Sequence, residues 1–279
     1  MNILGVGIVH SGKAYMFVLP EMPLWLVAVI LVVCILVALE SGFGMGLHKF
    51  HVKEDSEKAV RGDVTLGSML ALLGLILAFT YAFSLSRADH RKDAIVNEAN
   101  AINTAFLRAD LAAEPGRSEL RKRLFDYART RLVTAEMVAT QEALQHTIAH
   151  SLEAQSHLWP ATKQVLQGDV PGPIKTAIIQ AVNGVLEAHN KRVAAVHDRL
   201  PEVILMLLTF VAMVSVAVAG YQAGLTGSMN HWRRGAFVLI LAALILIIID
   251  FDRSFEGVIQ VNQETIVSLI SNLERTVSQ

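Results

Sequence analysis

His146 and His150 stand four residues apart in a helical context with Glu142 and Glu153 close by, and an i, i+4 histidine pair is a spacing that can hold a metal. No HExxH arrangement and no third strong ligand accompany them, so they read as solvated or bundle-facing histidines and no metal is assigned. A second constellation is apolar. Ile76, Phe79, Thr80 and Phe83 follow one another on an apolar helix, and copies of that helix around an axis would stack such residues into rings that gate ions by dewetting. A third consists of charges at membrane depth, which are costly and therefore informative. Glu40 ends one apolar run, Arg87 follows a second, and Asp250, Asp252 and Arg253 end the last. In a four-span arrangement Arg87, Asp250, Asp252 and Arg253 share one side as an interfacial charge network, with Glu40 on the other side near Arg233 and Arg234. Capping and topological anchoring explain these charges equally well. No nucleophile elbow, phosphate-cradling glycine loop or catalytic carboxylate pair is present, so the chain reads as no enzyme and calls for no cofactor.

The elements that would position these groups follow from composition. With 53% hydrophobic and 18% charged residues among 279, the chain lies beyond the soluble average of about 45–50% apolar and about 25% charged, which makes the lipid bilayer its solvent. A net charge of -1 without a basic patch argues against nucleic acid as a partner. The single cysteine, Cys34, sits in an apolar run and excludes a disulfide framework. Lys13 and Glu21 precede a first apolar run that lacks a small-residue cleavage site, so a retained span is expected rather than a signal peptide.

Apolar runs cover residues 23–40, 64–85, 203–225 and 235–249, without barrel-like alternation, so helices are expected. The first ends in the cluster Gly42, Gly44, Gly46. The organisation expected is spans one and two in residues 1–86, an extramembrane helical bundle in 87–200, spans three and four in 201–252, and an amphipathic segment in 253–279. Residues 66–111 contain no proline and no glycine after Gly74, which predicts one rod of about 70 Å passing from a hydrocarbon core of roughly 30 Å into water. Within it Gly67, Ala71, Gly74, Ala78, Ala82 and Ser86 form a small-residue stripe suited to close helix contact, with Gly220 and Gly224 offering the same on span three.

Farther out, Ile95, Ala99, Ile102, Phe106 and Ala109 make a 4-3-4-3 seam that demands partner helices. These are expected at 118–137, at 141–166 with an interruption near Trp159-Pro160, and at 174–200. Arg117, Arg121, Arg129 and Arg131 read as a solvated face. The first and last bundle members are expected to continue into spans two and three. Lys49, Lys53, Lys58, Arg61, Arg233 and Arg234 favour short loops in the cytoplasm, whereas Arg87, Arg91, Lys92, Lys191, Arg192 and Arg199 favour the opposite orientation.

The run Glu98-Ala99-Asn100-Ala101-Ile102, followed by Leu107-Arg108-Ala109-Asp110-Leu111, resembles the signature helix of the bacterial bestrophin-like family, with Asn103 between the two elements. GYQAGLTG at 220–227 and IIIDFDRSFEGVIQVNQETIVSL at 247–269 are similar to its two C-terminal signatures, with Phe255 where proline is frequent. The resemblance implies the layout of bestrophins, which are pentameric anion channels with four spans per subunit and a cytosolic helical region between spans two and three. It further implies a homo-oligomeric ion channel of the bacterial inner membrane, with span two lining the pore and the helical domain in the cytoplasm. Calcium and gating motifs do not align, so anion selectivity and calcium control do not carry over. The alternative function is a membrane-anchored sensory or structural module acting through a partner protein.

Overall fold

A computed structural model describes residues 22–52, 56–134, 137, 140–226, 231–253 and 263–277. Lys13, Glu21, Lys53, Gly227 and Phe255 lie outside the described residues, as do the side chains of Lys58 and Arg61. Every regular element among the described residues is a helix, and four of them are long and apolar enough to cross a membrane.

The first, α1 (Leu24–Val52), does not stop at its glycine cluster as expected but runs through it. Glycine inside a helix costs about 1 kcal/mol relative to alanine, and here close packing offsets that cost. A Cβ on Gly42 would strike the carbonyl of Ala217, and one on Gly46 the carbonyl of Tyr221; both partners lie on α7 (Glu202–Leu225). The contact is reciprocal, since a Cβ on Gly220 would strike Leu39 and one on Gly224 would strike Phe43. Contact positions rise together along both helices, so α1 and α7 run parallel and nearly touch backbone to backbone.

The rod is longer at its start than the sequence suggests. Its helix, α2 (Ser56–Ala109), has 54 residues and therefore extends about 80 Å without interruption. The fourth span, α8 (His231–Asp252), returns beside it. Leu31, Ile35, Leu39, Leu73, Leu208, Val216, Ile245 and Ile248 form the buried core between the spans.

Two bundle expectations need correction, and a third holds. The helix expected at 118–137 is α3 (Gly116–Thr130), and the chain leaves helical geometry after its C-cap, Arg131. The helix expected at 141–166 carries the interruption expected near Trp159-Pro160, dividing into α4 (Gln141–Ser156) and α5 (Leu158–Gln167), because Pro160 lacks a donor and fits only in the first turn of a new helix. Next, α6 (Gly172–His197) ends before span three, so only α2 passes unbroken between bundle and span; Pro201 restarts the chain as the N-cap of α7.

The bundle has its own core, in which Ile95, Ile102 and Phe106 of the seam meet Leu120, Leu124, Leu158, Ile178 and Val182. The amphipathic tail belongs to it as well. In α9 (Glu264–Val277), Ile266, Leu269 and Leu273 are buried in that core. Gln263 ahead of it accepts from the Val133 amide at 3.0 Å and donates to the Val133 carbonyl.

Candidate functional site: the outward face of α2 and its buried anchor

Successive helix residues are about 100° apart, so α2 carries distinct faces. Leu73, Thr80, Ser84, Arg91, Glu98 and Ile102 are buried and turn toward the rest of the chain. Phe79 and Phe83 are 58% and 57% exposed and turn away from it. Of the pore candidates, therefore, two face outward and two do not. Ile76 is half-buried against the span core, and Thr80 is buried with its hydroxyl donating to the Ile76 carbonyl at 2.7 Å. Thr80 thus does not share a face with the phenylalanines.

The small residues divide in the same way. Gly220 and Gly224 make the α1 contact described above, whereas Gly74, Ala78 and Ala82 are exposed, and a Cβ on Gly74 would meet open space. The helix contact expected of that stripe is not made within one chain.

At the junction with the bundle, Arg87 Nε lies 3.3 Å from Asp198 Oδ1. Asp252 accepts the Leu200 amide at 2.6 Å, and buried Arg91 donates to the Phe251 carbonyl. Asp250 and Arg253 are also buried there. Glu40 pairs at 2.7 Å with Arg234 at the other end of the spans.

About two turns beyond Arg91 lies a group that only partly shows in the sequence. Glu98 of the signature helix is fully buried, and its carboxylate accepts from Tyr127 at 2.6 Å, Arg131 at 3.0 Å and Arg192 at 2.7 Å. Because the Tyr127 hydroxyl donates its proton to Glu98, its oxygen accepts from His189 Nδ1–H at 3.0 Å, which places a ring proton on Nδ1. Burial alone would raise the Glu98 carboxyl, but Arg131 and Arg192, with the Tyr127 hydrogen bond, outweigh it and hold the group below the ordinary range. Burial, helped by Arg131, lowers His189 to about 4. Burial and the Glu98 charge raise Tyr127.

The expectation places Arg131 on a solvated face, and it is instead buried in this network: its backbone is still helical at the C-cap of α3, where it continues the buried face of Leu124 and Tyr127. Arg121 bridges Asp110 at 3.0 Å and the Thr276 carbonyl at 3.0 Å, also not a solvated role. Tyr127/Arg131 and His189/Arg192 recur at helical spacing, the one signal that could have marked them as core-facing polar groups. The other signature residues serve differently. Asn100 and Asn103 are exposed, and Arg108 donates to the Ala177 carbonyl at 2.9 Å. His146 and His150 are both exposed, and among the described residues no group of three potential ligands gathers to hold a metal.

Comparison with known proteins matches residues 34–266 to the bestrophin-like domain. A bacterial bestrophin homologue from Klebsiella pneumoniae superposes with a TM-score of 0.57 at 10% identity, over 90% of this chain and 97% of that one. A point variant of that homologue gives 0.55 at 11% identity, over 88% and 99%. No curated protein matches the sequence.

Proposed function

Because the chain belongs to the bestrophin-like family, we propose that it is a homo-oligomeric ion channel of the bacterial inner membrane, pentameric in the family manner, with α2 lining the pore. The observation that carries this reading is the unpartnered outward face of α2. Its apolar part is the least buried of the four spanning helices, and it exposes Phe79 and Phe83 beside Gly74, Ala78 and Ala82. Small residues let neighbouring copies of α2 approach, while the phenylalanines narrow the axis. The bundle extends the pore as a vestibule and, by family layout, stands in the cytoplasm.

The alternative of a sensory module acting through a partner draws less support. Among the described residues the helix after the fourth span is α9, and its apolar face is packed into the bundle core rather than held out for a partner.

Reconstituted into liposomes, the purified protein is expected to pass ions. Phe79→Ala and Phe83→Ala are expected to raise the leak. A monomeric protein that leaves bilayers silent overturns the proposal.

A further inference from the structure

Within the buried anchor one polar atom has no partner. His189, on α6, is 1% exposed; its Nδ1 meets the Tyr127 hydroxyl, and its Nε2 is buried without a hydrogen bond. Buried polar atoms are almost always paired, so a bare one asks for a physical account. With the ring proton on Nδ1, Nε2 is a lone pair, which is where an imidazole takes its second proton.

The surroundings oppose that proton while the anchor is closed. Glu98 of α2 lies 3.8 Å from Nδ1, Tyr127 and the C-cap Arg131 come from α3, and Arg192 stands three residues along α6. Among the described residues these are the charged and titratable groups acting on the ring. Two guanidinium groups already share one carboxylate, so an imidazolium would add a third cation to a single anion, with its Nε2–H left without an acceptor. Water reaching the ring reverses this balance. Burial and Arg131 hold the closed imidazole at about 4, against about 6.5 in water, so moving from pH 7 to pH 5 shifts the anchor roughly 20-fold toward an open form.

Opening matters because of what the anchor holds. Glu98 lies on the same unbroken helix as Phe79 and Phe83, about 22 Å beyond Phe83. While its carboxylate is tied to α3 and α6, the rod has one position and its phenylalanines one distance from the axis; a released rod tilts and relaxes that constriction. Resting on the proposed pore, we infer that the Glu98–His189 cluster is an acid-sensitive latch: a proton from water bonds to His189 Nε2, the tie between α2 and the bundle loosens, and the pore conducts more.

The test is potassium chloride release from liposomes holding the full-length protein, with the same pH on both sides, at pH 7 and at pH 5. Release is expected to be several-fold faster at pH 5 and to fall back on neutralisation. His189→Gln is expected to lose the acid response, whereas His90→Gln, which removes an exposed imidazole of α2, is expected to keep it. Tyr127→Phe cuts the link between His189 and Glu98 and is expected to move the response to higher pH, which decides the matter if His189→Gln does not fold. A conducting parent with equal release at both pH values, or a response that survives in His189→Gln or is unmoved in Tyr127→Phe, overturns the latch and leaves the pore in place. A folded oligomer that releases nothing at either pH removes the pore, and the latch with it.

Discussion

Arg192 Nη1 and Glu98 Oε2 lie 2.7 Å apart although 94 positions separate them in the chain, and their side chains are 4% and 0% exposed. The pair joins α6 to α2 at the base of the bundle. A second arginine, Arg131, reaches the same carboxylate, while Arg192 also donates to the Arg131 carbonyl at 3.1 Å. One glutamate thus ties two helices, α3 with its C-cap and α6, to the rod.

Removing that carboxylate leaves two buried guanidinium groups without their counter-charge. Glu98→Ala is therefore expected to destabilise the bundle by about 3–5 kcal/mol. Thermal unfolding of the detergent-solubilised protein, followed by circular dichroism, measures it. A shift no larger than that of a surface substitution would rule out the anchoring role.

Acidification should loosen the same site through His189. The unfolded side chain takes up a proton near pH 6.5 and the folded one only near pH 4, so between those values the unfolded chain binds more protons and stability falls as pH falls. The loss reaches about 3 kcal/mol at pH 4. Glu98 adds a loss of the same sign below pH 4.5, because its folded carboxyl is held lower than its unfolded one. His189→Gln is expected to flatten the dependence between pH 6.5 and 4, and melting curves across that window check it.

Glycines on the two faces should respond oppositely. Gly220→Val forces a side chain into the Leu39 backbone and is expected to cost about 1–3 kcal/mol by parting α1 from α7. Gly74→Val meets open space within the chain, so the subunit should fold normally while oligomers trapped by cross-linking diminish. Unfolding curves and cross-linked band patterns separate the two effects.

Orientation is measurable at the loop between α5 and α6. A reporter inserted after Gln167, the last residue of α5, is expected to show cytoplasmic activity. Periplasmic activity would favour a sensing role for the bundle over a cytoplasmic vestibule.

Much of the fold is legible in the residues because its signals are local. The apolar lengths, the proline-free rod and the 4-3-4-3 seam each depend on neighbours within a few turns, and each appears as a helix of the expected kind. Boundaries were less legible. Gly42 and Gly46 resemble a helix end until α7 is seen pressed against them, and Arg131 resembles a surface residue until Glu98 is seen to meet it from α2.

The sequence by itself determined the four apolar helices, the bundle between the second and third, and the family signature around Glu98, since hydropathy and spacing are properties of contiguous residues. Tertiary structure decided which side of each helix faces inward. It brought His189 and Arg192 to Tyr127, Arg131 and Glu98, buried Thr80, and left Phe79 and Phe83 outside. The physical reason is that burial of a polar group is tolerated only where distant segments deliver its hydrogen-bond partners, and no periodicity within one segment encodes where those partners arrive.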